Sequence, residues 1–361
     1  MLRRARDIDS KARKARTSQV DRSTSALTRI RSGRVVLTAL VVAIAVSALA
    51  ACGGGGSDEQ MTVRIGSPLW IGAAPLVIAD QRGFDNENGI NLDFRVIEEL
   101  KDLTSSIGSG RLDGGFGVGP GQALTLIGAG IETRHVLLGD VSLGGDQIIG
   151  KPEIRSVKQL KGRKVGVESA STGYPMLVYA LESNGLSLDD IKRIELSGAT
   201  APVALNAGRV DAAYTWEPYI STALKKGFRT IYEAGDKPGI ISDFLVIRDS
   251  YAKDNPDAVV RLLKTWQAGV EYLRSNPEDA YQAVADGMNI PLSDVRVGLN
   301  QTKLKSTDLQ ESLDFFKDTW PSLAPIFVDI VNGSEGLPRK VTVDEAQAAV
   351  DTSFAEDALK D

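Results

Sequence analysis

Ala207–Tyr219 reads AGRVDAAYTWEPY, and Ser109–Phe116 reads SGRLDGGF. Both carry Gly-Arg-apolar-Asp, at Gly110–Asp113 and again at Gly208–Asp211. In each copy the Gly follows a segment with helical spacing. The Asp leads into small and apolar residues that read as a short buried strand. A doubled unit implies two similar lobes, and two similar lobes imply a cleft between them.

The echo extends upstream. Val63–Gly83 (VRIGSPLWIGAAPLVIADQRG) resembles Lys164–Gly185 (KVGVESASTGYPMLVYALESNG). Each is an apolar strand, a turn of polar or small residues, a Gly with a Pro close behind, and an amphipathic helix ending in Gly. Pro suits a first helical turn and Gly the position just past the last. The spacing agrees as well: Gly72 to Asp113 is 41 positions and Gly173 to Asp211 is 38. Any two strand–turn–helix units share some likeness, but here order and spacing match together.

Working outward to the N-terminus, Met1–Arg34 is basic and polar, and Val35–Ala51 carries no charge. That run is short for a spanning helix, which needs about 20 apolar residues, but it suits the apolar core of a secretory signal. It ends in Leu49-Ala50-Ala51-Cys52, followed by Gly53–Gly56 and Ser57-Asp58-Glu59-Gln60. Leu-Ala-Ala-Cys resembles the lipobox of bacterial lipoproteins. The resemblance implies cleavage before Cys52, diacylglycerol on its sulfur, and anchoring to the outer face of the cell membrane. Residues 1–51 are then a lipoprotein signal peptide and 52–60 a flexible tether.

Removing residues 1–51 takes away 11 basic and 3 acidic side chains and leaves 31 basic against 44 acidic, a net charge of −13. Such a chain is a poor partner for nucleic acid. Cys52 is the only cysteine, so no structural disulfide supports the exported body. Roughly 300 residues are enough to rest on an apolar core.

Between Thr62 and Leu138 the chain alternates strands (Thr62–Gly66, Leu92–Ile97, Gly115–Val118, His135–Leu138) with helices (Pro75–Arg82, Leu103–Ile107, and one running to Ile127). This predicts an α/β architecture with mostly parallel sheets and helices on both faces. Gly139–Ile149 breaks the rhythm and reads as the first crossing between lobes. A short helix over Ile154–Gly162 then leads to the strand Lys164–Val167, the helix Tyr174–Asn184, and strands Ile191–Leu196, Ala212–Thr215 and Thr230–Glu233. Ser242–Arg248 reads as the return crossing. Helices are expected over Pro256–Arg274, Pro277–Asp286, Leu292–Leu299, Leu309–Trp320 and Val343–Leu359. The lobes are therefore 61–145 with 243–361, and 146–242.

Leu160–Val167 (LKGRKVGV), Gly208–Asp211, Thr215-Trp216-Glu217-Pro218 and Asn276-Pro277-Glu278 after a long helix, behind a lipobox, resemble the substrate-binding proteins of ABC importers. The likeness is to the nitrate/taurine/aliphatic-sulfonate/bicarbonate group and its thiamine-pyrimidine-binding relatives, over about Thr62 to Glu335. It implies a type II periplasmic-binding-protein fold: two Rossmann-like lobes, two crossing segments and a ligand cleft. It also implies a small-molecule ligand, an ABC permease with its ATPase subunit as partners, no cofactor, and a monomer. Ligands in open α/β sheets sit at strand–helix turns.

The candidate ligand contacts follow from those turns. Ser169, Ser171 and Thr172 precede a helix, and their hydroxyls and backbone N–H groups would suit a sulfonate, nitrate or carboxylate or cap the helix. Trp70 in the matching turn of the first lobe is a stacking wall or a packing residue. Trp216 would pack on the ligand. Glu217 caps the next helix or accepts a ligand N–H. Lys101 is a cation for an acidic ligand or a solvated surface Lys. Gly119, in Gly119-Pro120-Gly121, offers a backbone amide or makes a turn. Asp146 and Asp243, at the crossings, bind a ligand amine or hold the hinge.

Catalysis and metal binding find little support. His135 is the sole His and lies inside an apolar strand, which points to the core rather than to a triad. One His and one lipidated Cys build no His/Cys metal cluster, and no phosphate loop of the Gly-x-x-x-x-Gly-Lys-Ser/Thr type occurs. The reading is a solute-binding protein, not an enzyme, with a sulfonate-, taurine- or nitrate-type anion as ligand. Glu98, Glu99, Asp146, Glu217 and Asp243 would instead fit a zwitterion or a nitrogen-rich neutral solute such as a pyrimidine or amide. A ligand sensor without transport is the alternative from another class.

Overall fold

The repeated Gly-Arg-apolar-Asp unit does the same job twice. In the computed structural model, which describes residues 60–360 apart from 99, 170, 302, 303, 335 and 336, Gly110 and Gly208 both take positive φ, +74° and +67°. Glycine populates that region without steric cost. The chain thereby leaves one helical segment and enters a strand. The Asp that follows then ties this strand to a parallel neighbour. Asp113 accepts from the Arg64 backbone N–H at 2.9 Å and returns its own N–H to the Arg64 carbonyl. Asp211 accepts from the Lys164 N–H at 3.0 Å and donates back to the Lys164 carbonyl. A basic side chain completes each clamp, Arg64 on Asp113 and Lys151 on Asp211, both at 2.6 Å.

Eleven strands among the described residues form two sheets. In lobe 1 these are β1 (Met61–Ser67), β2 (Ile90–Val96), β3 (Gly114–Val118), β4 (Thr133–Val141), β10 (Ser242–Arg248) and β11 (Lys305–Ser306), in the order β11-β4-β10-β3-β1-β2. In lobe 2 they are β5 (Asp146–Gly150), β6 (Lys164–Val167), β7 (Lys192–Glu195), β8 (Ala212–Trp216) and β9 (Arg229–Glu233), ordered β7-β6-β8-β5-β9. β1 of lobe 1 and β6 of lobe 2 each pair parallel with two others, and the registers match: Ile65 opposite Gly114, Val165 opposite Ala212.

The expectation of mostly parallel sheets needs refinement. β10 is antiparallel to both β3 and β4, and β5 to both β8 and β9. Each crossing strand inserts backwards into the sheet it enters. A chain that leaves one lobe at the end of a strand and starts the next sheet directly, with no crossover helix, has to run against its new neighbours. The chain passes between the sheets at 142–145 and at 234–241.

Helices cover the sheets: α1 (Ala74–Arg82), α2 (Leu100–Gly108), α3 (Pro120–Gly128), α4 (Gly173–Glu182), α5 (Ala201–Asn206), α6 (Tyr219–Leu224), α7 (Pro256–Ser275), α8 (Pro277–Met288) and α9 (Trp320–Gly333). α7 lays its apolar stripe on α1, and Trp266 stacks on Phe116 at 5.1 Å while donating to the Thr307 carbonyl. α9 packs against α3 of lobe 1 and α4 of lobe 2, so one core runs through both. Residues Gln60–Asp361 make one compact unit. No helix among the described residues is long and apolar enough to cross a membrane.

Three helix expectations change. Ile154–Gly162 holds only a 3₁₀ turn, Val157–Leu160. The segment Val343–Leu359 breaks into Val343–Ala348 and Ser353–Ala358. Between them the chain runs against β4, with His135 donating to the Ala349 carbonyl and Asp351 N–H donating to the His135 carbonyl. Arg134 adds an ion pair to Asp351. These bonds replace one helical turn. Finally, helix continues past Trp320 to Gly333, because Pro321 sits in its first turn, where no N–H is needed, and the apolar run outweighs Pro325. His135 is fully buried beside Phe244, as a core residue should be.

Candidate functional site

Both passages between the sheets open onto the same place. Asp146 is the first residue of β5 and Asp243 the second of β10, so each crossing strand carries a carboxylate at its entry. Register puts Asp243 opposite Asp140 on β4 and Asp146 opposite Trp216 on β8. Between the lobes lies a narrow cavity of about 30 Å³, room for about one or two waters and well below the usual range for small-molecule sites, so a solute enters it only with the lobes further apart. Lobe 1 supplies Pro68, Trp70, Gly117 and Asp243; lobe 2 supplies Asp146, Thr172, Tyr214 and Trp216.

The lobes meet around this cavity. Trp216 Nε1 of lobe 2 donates to the Leu69 carbonyl of lobe 1 at 3.4 Å. Gly119, which starts α3, faces Thr172 so closely that a Cβ on it would lie 2.1 Å from Thr172 Cγ2. On the wall, Trp70 Nε1 donates to Asp140 at 3.2 Å, Tyr214 OH donates to Asp146 Oδ1 at 2.5 Å, and the Thr172 and Tyr214 hydroxyls are 2.9 Å apart. Tyr214 and Trp216 sit two apart on β8 and so share a face, with ring centroids 5.8 Å apart.

Three carboxyls are buried here: Asp140, Asp146 and Asp243 are at most 4% exposed. Burial pushes Asp146 up to about 6, against the pull of the Tyr214 hydroxyl. Ser142 Oγ lies nearby without ordinary hydrogen-bond geometry, and Asp146 Oδ2 has no partner among the described residues. Asp140 and Asp243 are both raised, by burial and then by neighbouring acid charge, Asp243 to about 8. Each of the two facing carboxyls makes ionisation of the other harder. Burial, with the charge of Asp146, keeps the Tyr214 hydroxyl protonated, so it remains a donor.

The structure brings Trp70, Asp146, Thr172, Trp216 and Asp243 together at the cavity. It places other candidates elsewhere. Ser169 is occupied by its own chain: its N–H and hydroxyl donate to Glu195, and Arg193 donates to its Oγ. Ser171 is buried and donates to the Glu168 carbonyl. Gly119 lies against Thr172 rather than on the cavity wall. Glu217 accepts from the Ser221 N–H and hydroxyl at the start of α6, and lines a separate cavity with Ile71 and Met288. Lys101 lies on α2, but its side chain is outside the described residues, as are Glu99, Cys52 and the leader. Sequence reasoning missed Tyr214 and Asp140. The alternation Ala212-Tyr214-Trp216 would have put Tyr214 beside the chosen Trp216.

The family described as NMT1/THI5 like matches residues 70–280, more than half of the chain. A Bacillus subtilis (strain 168) protein proposed to bind aliphatic sulfonates is 27% identical over 346 residues, 92% of this chain and 98% of that one. The alkanesulfonate-binding protein SsuA from Xanthomonas axonopodis pv. citri, solved bound to MOPS, superposes with TM-score 0.66 at 22% identity, covering 81% of this chain and 98% of that one. The periplasmic nitrate-binding protein NrtA from Synechocystis PCC 6803 gives 0.67 at 14% identity, covering 84% and 89%. At these identities the two structures show the shared two-lobed fold.

Proposed function

The chain belongs to the NMT1/THI5-like family, and on that premise we propose that it is the extracytoplasmic solute-binding component of an ABC importer. It holds a small solute in the interlobe cleft and delivers it to the permease and its ATPase. The observation that carries the reading is the cavity itself: it lies where both crossings enter, and each lobe contributes half of its lining. A solute touching both walls has more contacts when the lobes are together, so it favours the closed arrangement by that difference in affinity. The lobes, 61–145 with 243–361 and 146–242, move about the two crossings. Lipid on Cys52 holds the protein at the outer face of the membrane, and it works as a monomer. The relatives named for sulfonate and nitrate make an anion the first solute to test.

The test is thermal unfolding of the Gln60–Asp361 unit against sulfonates, taurine, nitrate, bicarbonate, amines, amides and pyrimidines. Small-angle scattering is measured on any pair that responds. A solute at 100 times its dissociation constant stabilises by about 2.7 kcal/mol. Stabilisation with a fall in radius of gyration supports the reading; a panel that leaves melting unchanged sinks it.

A further inference from the structure

Most buried carboxylates in this chain have a visible partner. Asp113 is held by Arg64, Asp249 by Arg134 and Lys253, Asp85 by the Leu92 N–H, and Glu217 by Ser221. At the cavity, Asp140 accepts one bond, from Trp70 Nε1, and Asp146 one, from the Tyr214 hydroxyl. Among the described residues no basic side chain lines the cavity, and none is among the influences on the protonation of Asp140, Asp146 or Asp243. Asp146 is 3% exposed and lines the cavity with Oδ2 unpartnered; Asp140 Oδ1 is also unpartnered. Asp243 and Asp140 face each other across a strand pair, a placement that costs stability for like charges.

Among the described residues that line the cavity, the side-chain N–H and O–H donors are committed, and Ser142 Oγ lies near Asp146 rather than on the wall. Trp70 Nε1 is given to Asp140, Trp216 Nε1 to Leu69, and the Tyr214 hydroxyl to Asp146. Thr172 is engaged with Tyr214. The cavity therefore offers carboxyl oxygens, and a cation placed against them would favour their ionised form. An anion entering it would meet two carboxyl groups and, among the described residues, no side-chain cation. Trp70, Tyr214 and Trp216 add aromatic surface, which attracts cations through ring faces.

Resting on the solute-binding reading above, we propose that this cleft recognises its solute through a positively charged nitrogen group whose N–H donors pair with Asp146 and Asp243. The remainder of the solute is a compact apolar or flat body against Trp70, Tyr214 and Trp216. The ligand class is an organic cation, or a zwitterion held by its ammonium end. A solute whose one polar group is an anion is not bound here.

Matched probes test this on the Gln60–Asp361 unit by calorimetry: benzamidine, tyramine and propylamine as cations, benzamide as a neutral, benzenesulfonate, ethanesulfonate and nitrate as anions, and taurine with both charges. Expected is binding of cations above benzamide and no binding of anions. Asp146→Asn and Asp243→Asn should each weaken the best cation at least tenfold, with the folded circular dichroism signal kept. Taurine, if bound, should weaken in the same variants. Binding of benzenesulfonate, ethanesulfonate or nitrate at the expense of the cations, unaltered by either variant, overturns the charge preference and leaves the solute-binding reading standing. So does taurine binding that ignores both variants. Silence toward every probe of either charge overturns both.

Discussion

Replacing Asp146 by Asn should make the protein more stable at pH 8 and hardly change it at pH 4. The carboxyl rises from 3.8 to about 6 because folding buries it. A raised acid is protonated more readily in the folded than in the unfolded chain. Its contribution is therefore most favourable at low pH and is lost as pH climbs through about 6. At about 1.4 kcal/mol per pH unit, the ionised group costs the ligand-free fold about 3 kcal/mol once pH exceeds 7. Asn keeps an oxygen for the Tyr214 hydroxyl and cannot ionise. Unfolding entropy of about 0.6 kcal/mol/K for roughly 300 residues converts this to a melting rise of about 5 °C at pH 8. The assay is differential scanning calorimetry of both chains from pH 4 to 8. Wild type alone is not diagnostic: burial lowers His135 to about 4, and a lowered His loses stability as pH falls from 6.5 toward 4, opposing Asp146 in that window. His135 is common to both chains, so the difference curve cancels it. A difference that stays flat across the range refutes the reasoning, and so does a variant less stable than wild type at pH 8.

Three further outcomes follow from the geometry. Gly119→Val should push the lobes apart by roughly 1.5 Å at Thr172, because ordinary carbon contacts are about 3.5–4.0 Å and the added Cβ starts at 2.1 Å; calorimetry should show at least tenfold weaker solute binding, and scattering a larger radius. Asp113→Ala, which strips a side chain only 1% exposed and leaves the partly exposed Arg64 and its N–H unpaired, should cost about 2–3 kcal/mol in urea unfolding, and Asp211→Ala, 19% exposed, about 1–2. A cationic solute should bind more weakly as pH falls from 7 to 5, since Asp146 takes up a proton near 6, whereas a neutral solute should show little change.

What could be read in advance divides by range. The doubled Gly-Arg-apolar-Asp is a local pattern with a local cause, a left-handed Gly followed by a clamp on a parallel neighbour, and it carried the two-lobe architecture. Asp146 and Asp243 were legible because a carboxylate at the start of a crossing strand is conspicuous in sequence. Ser169 looked equally available, but strand β7 brings Glu195 and Arg193 to it, and that pairing depends on sheet order. Asp140 sits in an apolar strand whose partner, β10, lies about a hundred residues on, so the facing acids Asp140 and Asp243 appear only once the register is known. The same distance hid the break near Val350, which answers to His135 rather than to its own neighbours.

The reversed insertion of β10 also orders events in time. Until residues 242–248 arrive, β4 has no strand joining it to β3, and the first sheet exists as two separate pieces, β2-β1-β3 and β4. The second sheet lacks nothing after residue 233. Its strands are drawn from 146–233 alone, so it can close while its predecessor waits. Loop-closure entropy favours the shorter span. By chain separation alone, the sheet that comes second along the chain is the one placed to pair its strands first.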